Sequence, residues 1–135
     1  MAQTITTSVR DMVSAATGEI ETLSLDDAKA LHAQGGVVFV DLRDVRELGR
    51  DGKVAGALHV PRGMLEFWVD PESPYHNETL SSAERLVLFC ASGWRSALAA
   101  KALQEMGMEN VAHISGGFTA WVKAGKSVEQ AARKS

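Results

Sequence analysis

Only one of the 135 residues is a cysteine, Cys90. A lone thiol excludes an intramolecular disulfide, a Cys-based metal site and an internal resolving thiol. The four histidines are dispersed, with no His-x3-His spacing, so no metal and no cofactor is expected. No apolar stretch approaches the roughly 18 residues that span a bilayer, and residues 1–21 lack the apolar core of a signal peptide. A cytoplasmic protein without a membrane partner is the expectation. An excess of basic charge is also missing: 14 Lys and Arg stand against 17 Asp and Glu, for a net charge of −3 and a pI near 5.8. The basic residues are scattered, which argues against a nucleic-acid partner. Internal repeats and low-complexity tracts are absent as well.

What is present suits one compact domain. With 45% hydrophobic and 23% charged residues, a chain of this length closes a single core. Strand and helix patterns alternate, which implies an α/β fold with a mostly parallel sheet covered by helices on both faces. Val9, Met12, Val13 and Ala16 recur at helical spacing and make residues 1–20 a short amphipathic arm, expected to pack on the domain. Ser24 is placed to cap a helix with Leu25, Ala28 and Leu31 on its apolar face, and Gly35-Gly36 to close it. Val37-Val38-Phe39-Val40 is apolar without alternation, as a fully buried strand is, and Asp41 follows at its carboxyl end. A helix is expected over residues 96–106 with Ala99, Leu103 and Met106 on one face, then a strand over Val111–Ile114 and a helix over 118–124. The domain proper is taken as residues 21–126, and the polar tail, 127–135, is expected to fray. Residues 62–82 form the one long connection. Its Phe67 and Trp68 either make a satellite core or, with Trp94, wall an apolar mouth.

Cys90 sits where the apolar run Leu86-Val87-Leu88-Phe89 ends and a helix-forming run begins. Between them lies Cys90-Ala91-Ser92-Gly93-Trp94-Arg95, a short segment with a glycine and a closing cation. Its backbone N–H groups can curl around a sulfur and the anion it carries, backed by the positive end of the following helix. Such surroundings lower a thiol pKa. A lone Cys is otherwise a buried core residue, and the flanking pattern is what favours a nucleophile here.

Four segments in register resemble the rhodanese-like (sulfurtransferase) family, over residues 24–125. They are Val40-Asp41-Leu42-Arg43 after a buried strand, residues 52–57 leading into Leu58-His59-Val60-Pro61, the Cys90 loop, and Ser115-Gly116-Gly117-Phe118 with Trp121 and Gly125. The resemblance implies a rhodanese-like three-layer fold and a cysteine that accepts a sulfane sulfur as a persulfide, then passes it to a thiophilic acceptor. The donor would be thiosulfate or a persulfide or polysulfide, and the acceptor a thiol, cyanide or a protein. Related phosphatases of the fold use one residue more, whereas four residues separate Cys90 from Arg95 here, which favours sulfur over phosphate. Ala91 and Ser92 stand where thiosulfate-preferring members place basic residues.

The expected site therefore comprises Cys90 as nucleophile and Ala91, Ser92, Gly93, Trp94, Arg95 and Ser96 around the substrate, supported by Asp41, Arg43 and Trp68. Arg95 either binds the donor's anionic group, the preferred role because it closes the loop beside the sulfur, or pairs with a carboxylate to brace it. Asp41 and Glu47 are candidate partners for Arg95 or Arg43. Asp41 is expected to order backbone or an arginine, since a carboxylate beside a thiolate would raise the thiol's pKa. Trp94 is either a shield or a partner contact. His59 and His113 are expected to be hydrogen-bonded core residues, His32 to lie on a helix surface, and His76 to sit in the long connection. The alternatives are a sulfur-relay module that docks a protein, a non-catalytic interaction domain, and a phosphatase or arsenate reductase of the same fold.

Overall fold

The computed structural model describes residues 2–126 and 128–130. The strands are β1 (Glu21–Leu23), β2 (Val38–Asp41), β3 (Lys53–Val54), β4 (Leu58–His59), β5 (Leu86–Phe89), β6 (Val111–Ile114) and β7 (Val128–Glu129). The helices are α1 (Val9–Thr17), α2 (Leu25–Gln34), α3 (Val45–Asp51), α4 (Leu65–Val69), α5 (Glu78–Ser81), α6 (Trp94–Glu105) and α7 (Gly117–Lys123). Five strands pair in parallel in the order β1-β6-β5-β2-β4, while β3 and β7 pair antiparallel as a separate ribbon.

Period-two alternation along the central strand divides the core into two layers. Leu86, Leu88 and Cys90 point to a layer with Val40, Leu65, Leu80, Ala99 and Leu103. Val87 and Phe89 point the other way, toward Ala28, Phe39, Ile114, Phe118 and Trp121. Helices therefore cover both faces, as parallel strands require. All four residues of β5 are buried, in keeping with its unbroken apolar run. Among the described residues, no helix is long and apolar enough to cross a membrane.

Local signals set most boundaries. The Ser24 side chain accepts from the Asp27 N–H at 3.1 Å, and α2 stops at Gly35, whose φ of 74° suits glycine. The amphipathic arm is α1, which packs along α6 and buries Ala16.

Four expectations change. Residues 62–82 are not an irregular loop but a 3-10 turn (Arg62–Met64) with α4 and α5, which bury Leu65, Val69 and Leu80. Trp68 packs on the layer that holds Cys90, while Phe67 is 53% exposed and stands edge-to-face with Tyr75. Met106 leaves the buried face because α6 ends at Glu105; it is the exposed C-cap residue. His32 turns inward: its Nε2 is 2.8 Å from the Ala55 carbonyl, and its ring stands edge-on to Phe39 and Trp121. Finally, the tail expected to fray supplies β7, because β3 offers an unpaired edge. Ser127 and residues 131–135 of that tail lie outside the described residues.

Candidate active site

Strand β5 delivers Cys90 to the carboxyl edge of the sheet, beside the end of β2. There the chain must reverse within a few residues to enter α6. Gly93 makes this possible with φ of 111°, a left-handed conformation that side chains disfavour. The turn aims two backbone donors at the sulfur: the N–H of Gly93 lies 3.2 Å from Sγ and that of Ser96 3.4 Å. The Ser96 hydroxyl is 3.7 Å from the same sulfur. Cys90 and Ser96 are fully buried, Ala91 and Arg95 half-buried, and Ser92 exposed. Trp94 is 41% exposed, with the Arg10 guanidinium 5.6 Å from its ring centroid, so α1 reaches the loop's outer face.

The loop's carbonyls are held from the opposite side. Phe118 N–H donates to Cys90 O at 2.7 Å and Thr119 N–H to Ala91 O at 3.0 Å, both from the first turn of α7. Gly117 sits against these carbonyls. A Cβ there would collide with Cys90 O and come within 2.8 Å of Ala91 O, and φ is 60°. With its carbonyls drawn outward to α7, the loop is left with its N–H groups facing the sulfur.

Two arginine–carboxylate pairs flank this arrangement. Asp41 receives Arg43 Nε and Nη2 at 2.9 and 2.8 Å and also the Arg43 backbone N–H at 3.0 Å. Arg43 further donates to Gly52 O at 2.8 Å and lies 3.9 Å over the Phe118 ring. Asp41 thus orders an arginine and backbone. Arg95 is gripped by Glu47 through two bonds of 2.8 and 3.1 Å. Glu47 also accepts from the Asp44 N–H, completing the capping box of α3. Hydrogen bonding from Arg95 lowers the Glu47 carboxyl from 4.5 to about 2. Arg95 is raised in turn, first by Glu47 and in smaller part by Cys90. The bracing partner of Arg95 is thus Glu47, and Arg95 still stands in the wall of a cleft of about 250 Å³ with Arg62, Leu42 and Pro61.

Of the histidines, His59 bonds the Arg43 carbonyl at 2.6 Å and His76 bonds the Ser81 hydroxyl, away from the sulfur. His113 is different: its Nδ1 lies 2.9 Å from Ser96 Oγ, one bond from Cys90. Burial holds His113 below its ordinary value. It is hydrogen-bonded in the core, as expected. Its link to the site was visible only as a lone polar residue in an otherwise apolar strand. Among the described residues, no group of three or more His, Cys, Asp or Glu side chains gathers to hold a metal ion.

The model of the rhodanese-like domain matches residues 24–124. The chain belongs to the rhodanese-like domain family. A Mus musculus thiosulfate sulfurtransferase/rhodanese-like domain-containing protein is 27% identical over 101 residues, which cover 71% of this chain and 64% of the mouse protein. This rhodanese-like chain therefore spans less than two thirds of that relative. The polysulfide-sulfur transferase of Wolinella succinogenes shares the fold at a TM-score of 0.68 and 30% identity, covering 92% of this chain and 88% of that one. A Rhodopseudomonas palustris protein of unknown function, described as a possible tyrosine phosphatase, superimposes at a TM-score of 0.91 with 51% identity over 96% of this chain and 99% of its own. The five-stranded parallel sheet between helices is thus the rhodanese-like architecture.

Proposed function

We propose that the protein is a sulfurtransferase that carries a sulfane sulfur as a persulfide on Cys90. The observation that carries this reading is the pair of backbone N–H groups converging on Sγ from Gly93 and Ser96 at 3.2 and 3.4 Å. An anionic sulfur is the species such donors favour, each charge-assisted bond being worth about 1.5–3 kcal/mol.

In the first half-reaction the Cys90 thiolate attacks the outer sulfur of a donor R–S–S⁻. The new S–S bond forms on Cys90 as the donor's own S–S bond breaks, and R–S⁻ departs with the bonding pair. For thiosulfate the leaving group is sulfite. Anionic donors gain from Arg95, which stands beside the loop and is freed by opening its pair with Glu47. In the second half-reaction an acceptor thiolate or cyanide attacks the terminal sulfur of Cys90–S–S⁻, and Cys90 leaves as thiolate. No base is consumed, and because Cys90 is the only cysteine, the acceptor comes from outside this chain.

Incubation of the reduced protein with thiosulfate or polysulfide, followed by intact mass, tests the proposal. A cyanide-labile gain of one sulfur, about 32 Da, on the native protein and not on Cys90→Ser is the expected outcome. Turnover retained in Cys90→Ser would end it.

The R. palustris neighbour motivates a second reading, hydrolysis of a phosphotyrosine ester. Four residues between Cys90 and Arg95 make a loop tighter than the related phosphatases use, so sulfur is favoured. Release of phosphate from a phosphotyrosine peptide at a rate that dies with Cys90→Ser would reverse the preference.

A further inference from the structure

Sulfur transfer through Cys90 leaves one buried group without a task. His113 is 4% exposed in β6, yet both ring nitrogens are engaged: Nδ1 lies 2.9 Å from Ser96 Oγ and Nε2 lies 3.1 Å from Thr22 Oγ1. Ser96 Oγ is in turn 3.7 Å from Cys90 Sγ. Sulfur, hydroxyl, imidazole and hydroxyl make one unbroken chain. Its inner end is fully buried at Cys90 and Ser96, and its outer end, Thr22, is exposed on the edge strand β1.

We propose that Ser96, His113 and Thr22 form a proton path that carries the Cys90 proton to solvent at the sheet edge, with His113 as the positioning residue that directs the Ser96 hydroxyl onto the sulfur. The path deepens the sulfurtransferase reading and rests on it for its purpose: the thiol is emptied of its proton on the side away from Arg95 and its cleft.

Every member beyond the sulfur both donates and accepts, so the chain has two directions. With a protonated thiol, S–H donates to Ser96 Oγ, the Ser96 O–H donates to Nδ1, and Nε2–H donates to Thr22 Oγ1. With an anionic sulfur each bond reverses: Thr22 O–H donates to Nε2, Nδ1–H donates to Ser96 Oγ, and Ser96 O–H donates to Sγ. Between the two states the thiol proton passes to Ser96, the Ser96 proton to Nδ1, the Nε2 proton to Thr22, and the Thr22 proton to water. One proton leaves, and the ring changes tautomer without changing charge. The lowered His113 value fits this role, since a ring kept neutral relays a proton rather than storing it. The Gly93 carbonyl, 3.2 Å from the Ser96 hydroxyl, already competes for the Ser96 proton, and without His113 that carbonyl is left to hold the hydroxyl.

Arg95 is a charged neighbour of the sulfur, its own value being raised in smaller part by Cys90. Thr22 and Ser96 face His113 from β1 and α6, and its register partner on β5 is Leu88, which is apolar.

The test is the pH dependence of Cys90 alkylation by iodoacetamide in the reduced protein, read as a double-mutant cycle. His113→Asn should move the midpoint upward by about one pH unit and slow the reaction by about tenfold at pH values below the native midpoint. In the Ser96→Ala background the same change should do nothing, because His113 reaches the sulfur only through Ser96. An equal shift in both backgrounds, or no shift in the native one, overturns the path. Ring 15N resonances give a second measurement that needs no variant. His113 should pass from the Nε2–H to the Nδ1–H form as Cys90 deprotonates, and an unchanged tautomer overturns the proposal. Alkylation requires no sulfur donor, so a coupled cycle in a protein that takes up no sulfur from thiosulfate or polysulfide would sink the sulfurtransferase reading and leave the path standing.

Discussion

The carboxyl ends of β2 and β5 lie side by side, and each carries an arginine paired with a carboxylate. At β2 the Arg43–Asp41 pair is 1% exposed on both sides, and Arg43 also donates to the Gly52 carbonyl and lies over the face of Phe118. At β5 the Arg95–Glu47 pair is 39% and 19% exposed. The same two functional groups therefore do different work. A buried pair that loses one member strands a charge in low dielectric, so the β2 end is committed to holding the fold. A half-exposed pair is screened and contributes little, so the proposed function gives the β5 end an arginine that opens toward an anionic donor at small cost in stability.

The sharpest way to break this contrast is to remove each arginine. Arg43→Ala should cost about 3–5 kcal/mol in urea denaturation, because Asp41 is left buried without its partner. Arg95→Ala should cost no more than about 1 kcal/mol in the same experiment. Equal losses would mean that burial does not separate the two ends. Next in size is Gly117→Ala, which forces a side chain into a left-handed conformation against the loop's carbonyls. A loss of about 1–3 kcal/mol is expected, with slower sulfur uptake by Cys90. Uptake unchanged at that cost would show that α7 supports the fold without shaping the loop. In sulfur-transfer kinetics, Arg95→Ala should raise the KM for thiosulfate about tenfold and leave the acceptor step unchanged. If both steps slow equally, Arg95 braces the loop and does not contact the donor.

The smallest effect concerns pH. The Glu47 carboxyl stands at about 2 in the folded protein against an ordinary value of 4.5. Since the folded value is the lower one, the pair stabilises the native state above about pH 4.5 and loses that contribution as pH falls toward 2. The stability gap between the native protein and Glu47→Gln should therefore be about 1 kcal/mol at pH 7 and shrink through that window. A gap that stays constant down to pH 2 would remove the ion pair as its cause.

Much of this layout was legible in the sequence because it is written locally. The Ser24 cap, the Gly35 stop, the apolar run before Cys90 and the strand Val111–Ile114 each depend on a few adjacent residues. The loop that surrounds Cys90 was legible for the same reason. What escaped depends on distant chain. Helices α4 and α5 have five and four residues, too short to signal themselves, and exist because Leu65, Val69 and Leu80 find the core. Strand β7 exists because β3 has an open edge. Asp41 and Glu47 were both available to the two arginines, and only the placement of α3 assigns Glu47 to Arg95. The role of His113 required knowing that β6 and the first turn of α6 bring it to Ser96.

The attachment of the Cys90 loop to α7 bears on transplantation. The segment from Cys90 to Ser96 looks like a cassette that any open α/β sheet would accept, yet its carbonyls are oriented by Phe118 and Thr119 and its close approach depends on Gly117. A graft of the cysteine loop alone would carry the nucleophile without the clamp that turns its amides inward. The smallest portable unit is two separated pieces of chain, the loop and the glycine-led start of the helix after the next strand.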